Sequence, residues 1–162
     1  MPNLTTTTQS PMKEVTEMIK AVYFDMDGTI ADLYSVEGWL ADLEAKRARP
    51  YREARPMVNM SYLARQLNRI QKKGIKINII SWLSRSGDMV YNDEVTRVKR
   101  EWLVRHLPSV RWDEIHIVKH GTPKSTCRTL PGILFDDEQR NLDEWGEMAV
   151  SAERLMEVLK AL

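Results

Sequence analysis

Two aspartates two positions apart are the residues of this chain best placed to do chemistry. Asp25 and Asp27 follow the apolar run AVYF, residues 21–24, and Gly28 and Thr29 come directly after them. The run is short, β-branched and aromatic, which is typical of a buried strand. Because a buried strand does not end in paired carboxylates unless something compensates their charge, the pattern predicts a functional site.

Further polar residues follow three other apolar runs of the chain. Ser81 follows IKINII, residues 75–80, and Lys124 lies in the loop after EIHIV. The run that ends at Phe135 is followed by Asp136 and Asp137. Ligands of open parallel sheets bind beyond the carboxyl ends of the strands. We therefore expect these side chains to meet the first two aspartates at one edge of a sheet.

Strand patterns alternate with helical patterns along the chain. Strands are predicted over residues 20–24, 75–80, 114–118 and 132–135. Apolar residues at helical spacing predict helices between them, and the proline-interrupted stretch at residues 45–56 is predicted to be a loop. Ser151 is predicted to cap a C-terminal helix. This alternation indicates an α/β domain with a doubly wound, mainly parallel sheet.

The ordered motifs FDMDGT, Ser81, Lys124 and ILFDD resemble those of the haloacid-dehalogenase (HAD) superfamily of phosphohydrolases. The resemblance spans residues 20–137, and it implies a Rossmann-like core with a small helical cap insertion at about residues 31–59. It also implies a Mg²⁺-dependent phosphomonoesterase that works through an aspartyl-phosphate. Three converging carboxylates need a cation, and oxygen-only ligands favour Mg²⁺.

The resemblance implies a role for each motif residue. Asp25 would be the nucleophile, and Asp27 the general acid and then the general base. Ser81 and Lys124 would bind the phosphate. Lys119 also follows an apolar run and competes with Lys124 for the lysine role.

The same resemblance implies the metal ligands. They would be Asp25, Asp27 through its backbone carbonyl, and Asp137. Asp136 would be the outer-shell partner, although the last two aspartates could exchange roles. Singly, each motif also has a structural interpretation, such as a turn or a solvated helix start.

The short insertion predicts an open active site, and its basic residues suggest an anionic substrate. Arg47, Arg49 and Arg52, here named the insertion arginines, either form a solvated face or attract a polyanion. Trp82 and Arg85 follow Ser81 and are candidate substrate contacts.

The resemblance to small-capped nucleotidases and polynucleotide phosphatases implies a nucleotide-type substrate carrying a 5′- or 3′-phosphate. One alternative is a 3′-phosphatase acting on nucleic-acid ends. Another is a non-catalytic nucleotide-binding or regulatory module on the same fold. A panel of phosphomonoesters would separate these functions.

Composition limits the remaining possibilities. The 162 residues are 43% hydrophobic and 29% charged, with a net charge of +1, so the whole chain carries no strong charge toward nucleic acid or membrane. One cysteine, Cys127, excludes an internal disulfide and fits a reducing compartment. We expect a cytoplasmic protein without a membrane partner, in which residues 1–18 form a flexible tail and residues 19–162 one hydrolase domain.

Overall fold

The predicted alternation of strands and helices is the architecture of the computed structural model, which describes residue 11 and residues 18–162. In chain order its elements are β1 (Ala21–Phe24), β2 (Ala31–Asp32), α1 (Trp39–Glu44), α2 (Arg49–Glu53), β3 (Arg55–Pro56), α3 (Met60–Lys72), β4 (Lys76–Trp82), α4 (Met89–His106), β5 (Glu114–Val118), β6 (Gly132–Asp136), α5 (Gln139–Trp145), β7 (Ala149–Ser151) and α6 (Leu155–Ala161). Short 3₁₀ turns cover Leu33–Ser35, Lys124–Cys127 and Ala152–Arg154. The tail predicted over residues 1–18 lies, apart from residues 11 and 18, outside the described residues.

Five strands form one parallel sheet in the order β5-β4-β1-β6-β7. The central strand β1 places Phe24 opposite Ile79 of β4 and Phe135 of β6. The chain leaves β1 toward β4 and β5 on one side and then crosses back to β6 and β7 on the other. The strand order therefore confirms the predicted doubly wound fold, and its switch point lies at the carboxyl end of β1.

The side chains of β1 alternate between the two faces of the sheet, so both faces carry apolar side chains that must be buried. Helices cover both faces. On one face, Val22 and Phe24 belong to the main core, together with buried side chains of α3, α4 and α6. On the other face, Tyr23 packs against Trp145 of α5, with the ring centroids 5.0 Å apart. All four residues of β1 are buried, so the strand that carries the two aspartates is fixed in the centre of the molecule.

The insertion between β1 and α3 is more regular than predicted. The stretch at residues 45–56, predicted to be a loop, contains α2 and β3, and β3 pairs antiparallel with β2. Pro50 is compatible with helix because it lies in the first turn of α2, where a backbone N–H is not needed. Tyr51 of α2 packs with Tyr91 and Val95 of α4. The insertion is thus seated on α4.

Three boundaries differ from the prediction. Helical spacing of apolar residues predicts a first helix from Val36, but α1 begins only at Trp39, because Gly38 has a φ of +73° and interrupts the helical path. Ser81 lies inside β4 rather than after it. The predicted cap residue Ser151 ends β7, and α6 begins at Leu155 after a 3₁₀ turn.

Within the part of the chain that the structure describes, none of the helices combines the length and apolar character needed to cross a bilayer.

Candidate active site

A buried ion triad marks the carboxyl ends of β1 and β6. Lys124 Nζ donates to Asp25 Oδ1 at 2.7 Å and to Asp136 Oδ2 at 2.6 Å. Thr29 Oγ1 donates to the other oxygen of Asp25 at 3.1 Å. The side chain of Lys124 is 1% exposed, and a charge so deep in a protein requires such pairing. The structure thus places Lys124 against the predicted nucleophile, whereas Lys119 is exposed.

The electrostatics of the triad follow from burial and from the excess of carboxylates. Burial by itself lowers the pKa of Lys124, but Asp25 and Asp136 outweigh that effect and raise it above its usual value. Burial, together with the charge of Asp25, raises the pKa of Asp136 to about 6. Lys124 therefore stays charged, and its single positive charge is shared by the carboxylates of Asp25 and Asp136.

A third carboxylate completes an acidic cluster. Carboxylate oxygens of Asp25, Asp136 and Asp137 lie within 4.8 Å of one another. Removal of its carboxyl group from water, followed by repulsion from Asp25, raises the pKa of Asp137 to about 8. An additional positive charge at this point would relieve the repulsion, as a bound metal ion does.

The two aspartates of the fourth motif differ in the freedom of their oxygens. Asp136 is fully buried and accepts hydrogen bonds from Lys124, from Asn141 Nδ2 and from the backbone N–H of Glu138. Asp137 accepts only a long 3.4 Å contact from Thr29 Oγ1 among the described residues. These contacts suit the expected assignment of Asp136 to the outer shell and of Asp137 to the metal.

Gly28 forms the floor under the carboxylate of Asp137. Its φ is +83°, and a Cβ built on it would lie 2.2 Å from Asp137 Oδ2. Only glycine accommodates both that backbone and that contact. The glycine of the DMDGT motif thus belongs to the acidic cluster, although the sequence pattern alone marks it only as a strand breaker.

The acidic cluster fits a magnesium ion. Its donors are all carboxylate oxygens, the ligand type that this hard cation prefers, and Mg²⁺ usually takes only one or two protein carboxylates. The absence of a side chain at Gly28 leaves room for the Asp137 carboxylate. Asp25 and Asp137 are the residues that would hold the metal. The carboxylate of Asp27 lies outside this cluster and points to a different partner.

That partner is Lys99 of α4, which the sequence patterns did not identify. Lys99 Nζ donates to Asp27 Oδ2 at 2.8 Å, to Ser81 Oγ at 2.7 Å and to the backbone oxygen of Trp82 at 2.7 Å. Lys99 shares the inward face of α4 with Val95 and is 1% exposed. A single lysine within an apolar helical stripe was the signal that could have found it.

Asp27 is the carboxyl group whose protonation the structure favours beside the nucleophile. Burial raises its pKa, the charge of Lys99 opposes that shift, and the charge of Asp25 adds to it. A carboxyl group with a raised pKa takes up a proton more readily and is suited to general acid catalysis. The first motif therefore combines two carboxyl groups that have different lysine partners, and burial raises the pKa of the second, Asp27.

A cavity of about 690 Å³ opens in front of the two aspartates. The insertion supplies one wall, which includes Tyr34 and Trp39, two rings in edge-to-face contact with centroids 5.0 Å apart. Trp39 is half buried. Trp82 and Arg85, which follow Ser81 in the sequence, also line the cavity. Volumes of about 300–1,000 Å³ are typical of small-molecule sites.

A basic groove of about 350 Å³ adjoins the cavity. Arg85, Lys119, His120 and Arg140 supply its basic side chains, and Arg85 and His120 also line the cavity. Arg140 pairs with Glu138 at 2.7 Å. Burial, and then the charges of Arg85 and Arg140, lower the pKa of His120, which reports positive potential in the groove.

The ring of Trp82 lines the cavity and contacts two basic side chains of the groove, His120 and Arg140. Its Nε1 donates to the backbone oxygen of Thr122 at 2.9 Å. Arg140 Cζ lies 4.5 Å and Lys124 Nζ 5.5 Å from the ring centroid, and the centroid of His120 lies 4.8 Å away. The indole is therefore held in place by neighbouring cations.

The insertion arginines lie outside the residues that line either hollow. Arg47 and Arg49 pair with Asp42, and Arg49 also pairs with Glu53. Arg52 lies 3.7 Å from Glu94 of α4. These ion pairs join the insertion to itself and to α4.

Comparisons with known proteins return little. No family model and no curated protein matches the chain. One of the solved structures that match is the crystal structure of D,D-heptose 1,7-bisphosphate phosphatase from Burkholderia thailandensis. The two sequences are 15% identical, and the match covers 80% of this chain and 73% of the chain in that crystal structure, with a TM-score of 0.47. A match at that identity and TM-score carries no argument about the function of this chain.

Proposed function

We propose that this chain is a Mg²⁺-dependent phosphomonoesterase of the HAD type, acting through an aspartyl-phosphate on a nucleotide-type substrate. The observation that carries the proposal is the contrast between two carboxyl groups at one strand end. Asp25 and Asp27 are ion-paired with different buried lysines, Lys124 and Lys99, and burial raises the pKa of Asp27. Such a pair of differing carboxyl groups serves acid–base and nucleophilic roles together.

In the first step an oxygen of Asp25 attacks phosphorus, and the bond between phosphorus and the ester oxygen breaks. The electron pair of that bond leaves with the ester oxygen, which takes the proton of Asp27 and departs as an alcohol. Lys124 contacts Asp25 and stabilises the negative charge on the transferring group. A bound Mg²⁺ would neutralise charge on the phosphoryl oxygens.

In the second step a water molecule attacks the phosphorus of the aspartyl-phosphate. Asp27, now a carboxylate, takes a proton from that water, and the bond between phosphorus and Asp25 breaks to release inorganic phosphate. The proton gained by Asp27 restores the starting state. The hydroxyl of Ser81 would donate a hydrogen bond to a phosphate oxygen throughout both steps.

The cavity supports a nucleotide-type leaving group. Tyr34 and Trp39 offer aromatic surface beside the reaction centre, and a base stacked on aromatic side chains gains about 1–3 kcal/mol. Trp82 and Arg85 add further lining to the same cavity. The cavity is large enough for a planar base and a sugar. A small sugar phosphate would fill only part of the cavity.

A second candidate function is a 3′-phosphatase acting on nucleic-acid ends, and the basic groove favours it. Arg85, Lys119 and Arg140 lie directly beyond the cavity and suit the next phosphates of a chain. A non-catalytic nucleotide-binding module remains the third alternative. The pairing of Asp27 with its own lysine argues against it, since a binder has no need of a positioned acid.

A panel of phosphomonoesters tests the proposal. Nucleotides with 5′- or 3′-phosphates, sugar phosphates and oligonucleotides with a terminal phosphate are incubated with Mg²⁺ or with EDTA, and released phosphate is measured. We expect release from nucleotides that depends on Mg²⁺ and is lost in Asp25→Asn. Faster release from oligonucleotide ends would favour the second candidate. Tight nucleotide binding without release would favour the binding module.

A further inference from the structure

Lys99 is a buried charge that lies outside the sequence motifs and takes no part in the two proposed bond-breaking steps. It comes from α4, a helix that contributes no residue to the motifs, yet its amine reaches the centre of the site. Each of its three N–H bonds has an acceptor: Asp27, Ser81 and the backbone oxygen of Trp82. The amine also lies 4.9 Å from the ring centroid of Tyr51 in the insertion.

We propose that Lys99 is the positioning residue that links the general acid to the phosphate-binding serine. The ammonium group of Lys99 donates to both Asp27 and Ser81, so it sets the distance between the general acid and the hydroxyl that would bind the phosphate. The role rests on the proposed function, because it assigns Lys99 within that reaction. Lys124 has a separate role, since its partners are Asp25 and Asp136.

The bond from Lys99 also fixes the direction of the serine proton. Ser81 Oγ accepts from the ammonium group, so a lone pair is engaged and the single hydroxyl proton is left for another acceptor. Ser81 is fully buried, which makes a proton without an acceptor costly. We expect an oxygen of a bound phosphate to be that acceptor. Lys99 thereby makes Ser81 a donor toward the substrate.

Lys99 further connects the insertion to the reaction centre. The Tyr51 ring lies over its amine, and Tyr51 packs on α4 through Tyr91 and Val95. Trp102, one turn further along α4, donates to the backbone oxygen of Ala54 at 2.8 Å. The wall of the cavity and the positioned acid therefore depend on one helix.

Lys99→Met tests the role, with Arg100→Met as the matched control, because Arg100 is its exposed neighbour on the same helix. On an ester with a poor alkoxide leaving group we expect kcat to fall about 10–100-fold with little change in KM, the range found when a positioning partner is removed. On an activated aryl phosphate the loss should be smaller, because that leaving group needs little protonation. Arg100→Met should stay within about twofold of the wild type.

A double variant distinguishes a positioning role from a structural one. If Lys99 acts through Asp27, Lys99→Met with Asp27→Asn should be no slower than Asp27→Asn alone, within about threefold. The double variant also removes both members of the buried ion pair, so it avoids the unpaired charge that could unfold Lys99→Met. Multiplied losses, or a Lys99→Met enzyme within twofold of wild type on both esters, would overturn the inference.

Binding of tungstate, a phosphate analogue, separates failure of this inference from failure of the proposed function. If the wild type releases phosphate from none of the esters, the proposed function fails, and calorimetry still decides on Lys99. Lys99→Met and Ser81→Ala should each weaken tungstate binding, and combining them should weaken it no further. Equal tungstate affinity in wild type, Lys99→Met and Arg100→Met would refute the link.

Discussion

Substituting Gly28 with alanine perturbs the acidic cluster without changing any charge. The new methyl group would lie 2.2 Å from Oδ2 and 2.6 Å from Cγ of Asp137, so that carboxylate must move. The backbone would also hold alanine at a φ of +83°. The substitution thus combines a local backbone strain with a displacement of one predicted metal ligand.

The two effects can be separated because the chain offers a glycine that has only the first. Gly121 has a φ of +87°, and a Cβ placed on it meets no atom within 4 Å. The left-handed conformation costs alanine about 1–2 kcal/mol, which for a domain of this size lowers the melting temperature by about 2–8 °C. We expect a loss of that size from Gly121→Ala and at least that from Gly28→Ala. Only Gly28→Ala should disturb the metal site.

The assay is the dependence of phosphate release on Mg²⁺ concentration, supported by calorimetric titration of Mg²⁺ into each variant. Displacing a ligand or its close support typically weakens metal affinity by about 10–100-fold, so half-saturation in Gly28→Ala should rise by that factor. Gly121→Ala should keep the wild-type value. If Gly28→Ala binds and uses Mg²⁺ as the wild type does, the placement of the metal at Asp137 is refuted.

Three further outcomes are expected from the site. Asp27→Asn should slow esters with poor leaving groups about 10²–10⁴-fold but activated aryl phosphates far less, and equal losses in kcat would contradict its role as acid. In EDTA, the pKa of Asp137 is raised to about 8, so between about pH 4 and pH 8 the folded chain holds a proton that the unfolded chain has lost. The stability that this proton gives the folded chain is complete below about pH 4 and disappears as the pH rises through 8. The melting temperature of Asp137→Asn should therefore rise relative to wild type between pH 5 and pH 9, and parallel curves would refute the shift. Arg85→Gln should raise KM for nucleotides and oligonucleotides more than a triple variant with Gln at all three insertion arginines, since of these four residues only Arg85 lines the cavity and the groove. The two variants are compared by steady-state kinetics at low and high salt. A larger rise in KM in the triple variant would show that the insertion arginines attract the substrate.

The parts of the fold that the sequence predicted are those where burial acts on short apolar runs. The run at residues 21–24 became the central strand because all four of its side chains are buried by partners on both sides. The run at residues 114–118 became β5 with the predicted bounds. The motif residues then met at one sheet edge because parallel strands bring their carboxyl ends together.

The parts that the sequence missed depend on contacts between distant segments. The short helix α2 exists because Tyr51 packs on α4, and its proline-rich local sequence indicates a loop instead. The buried charge of Lys99 is compensated by Asp27, Ser81 and the backbone oxygen of Trp82, which lie far from it along the chain. Likewise, Arg52 pairs with Glu94 of α4, which is far from it along the chain.

The most direct test of the covalent mechanism is to trap the phosphoryl group on Asp25. Enzyme mixed with a nucleotide substrate and Mg²⁺ is quenched in acid within the first turnovers, reduced with borohydride, which converts an acyl phosphate to an alcohol, and mapped by peptide mass spectrometry. We predict homoserine at position 25 in the wild type and none in Asp25→Asn. Phosphate release by the wild type with an unmodified Asp25, or with the label on another residue, would contradict the mechanism proposed for this chain.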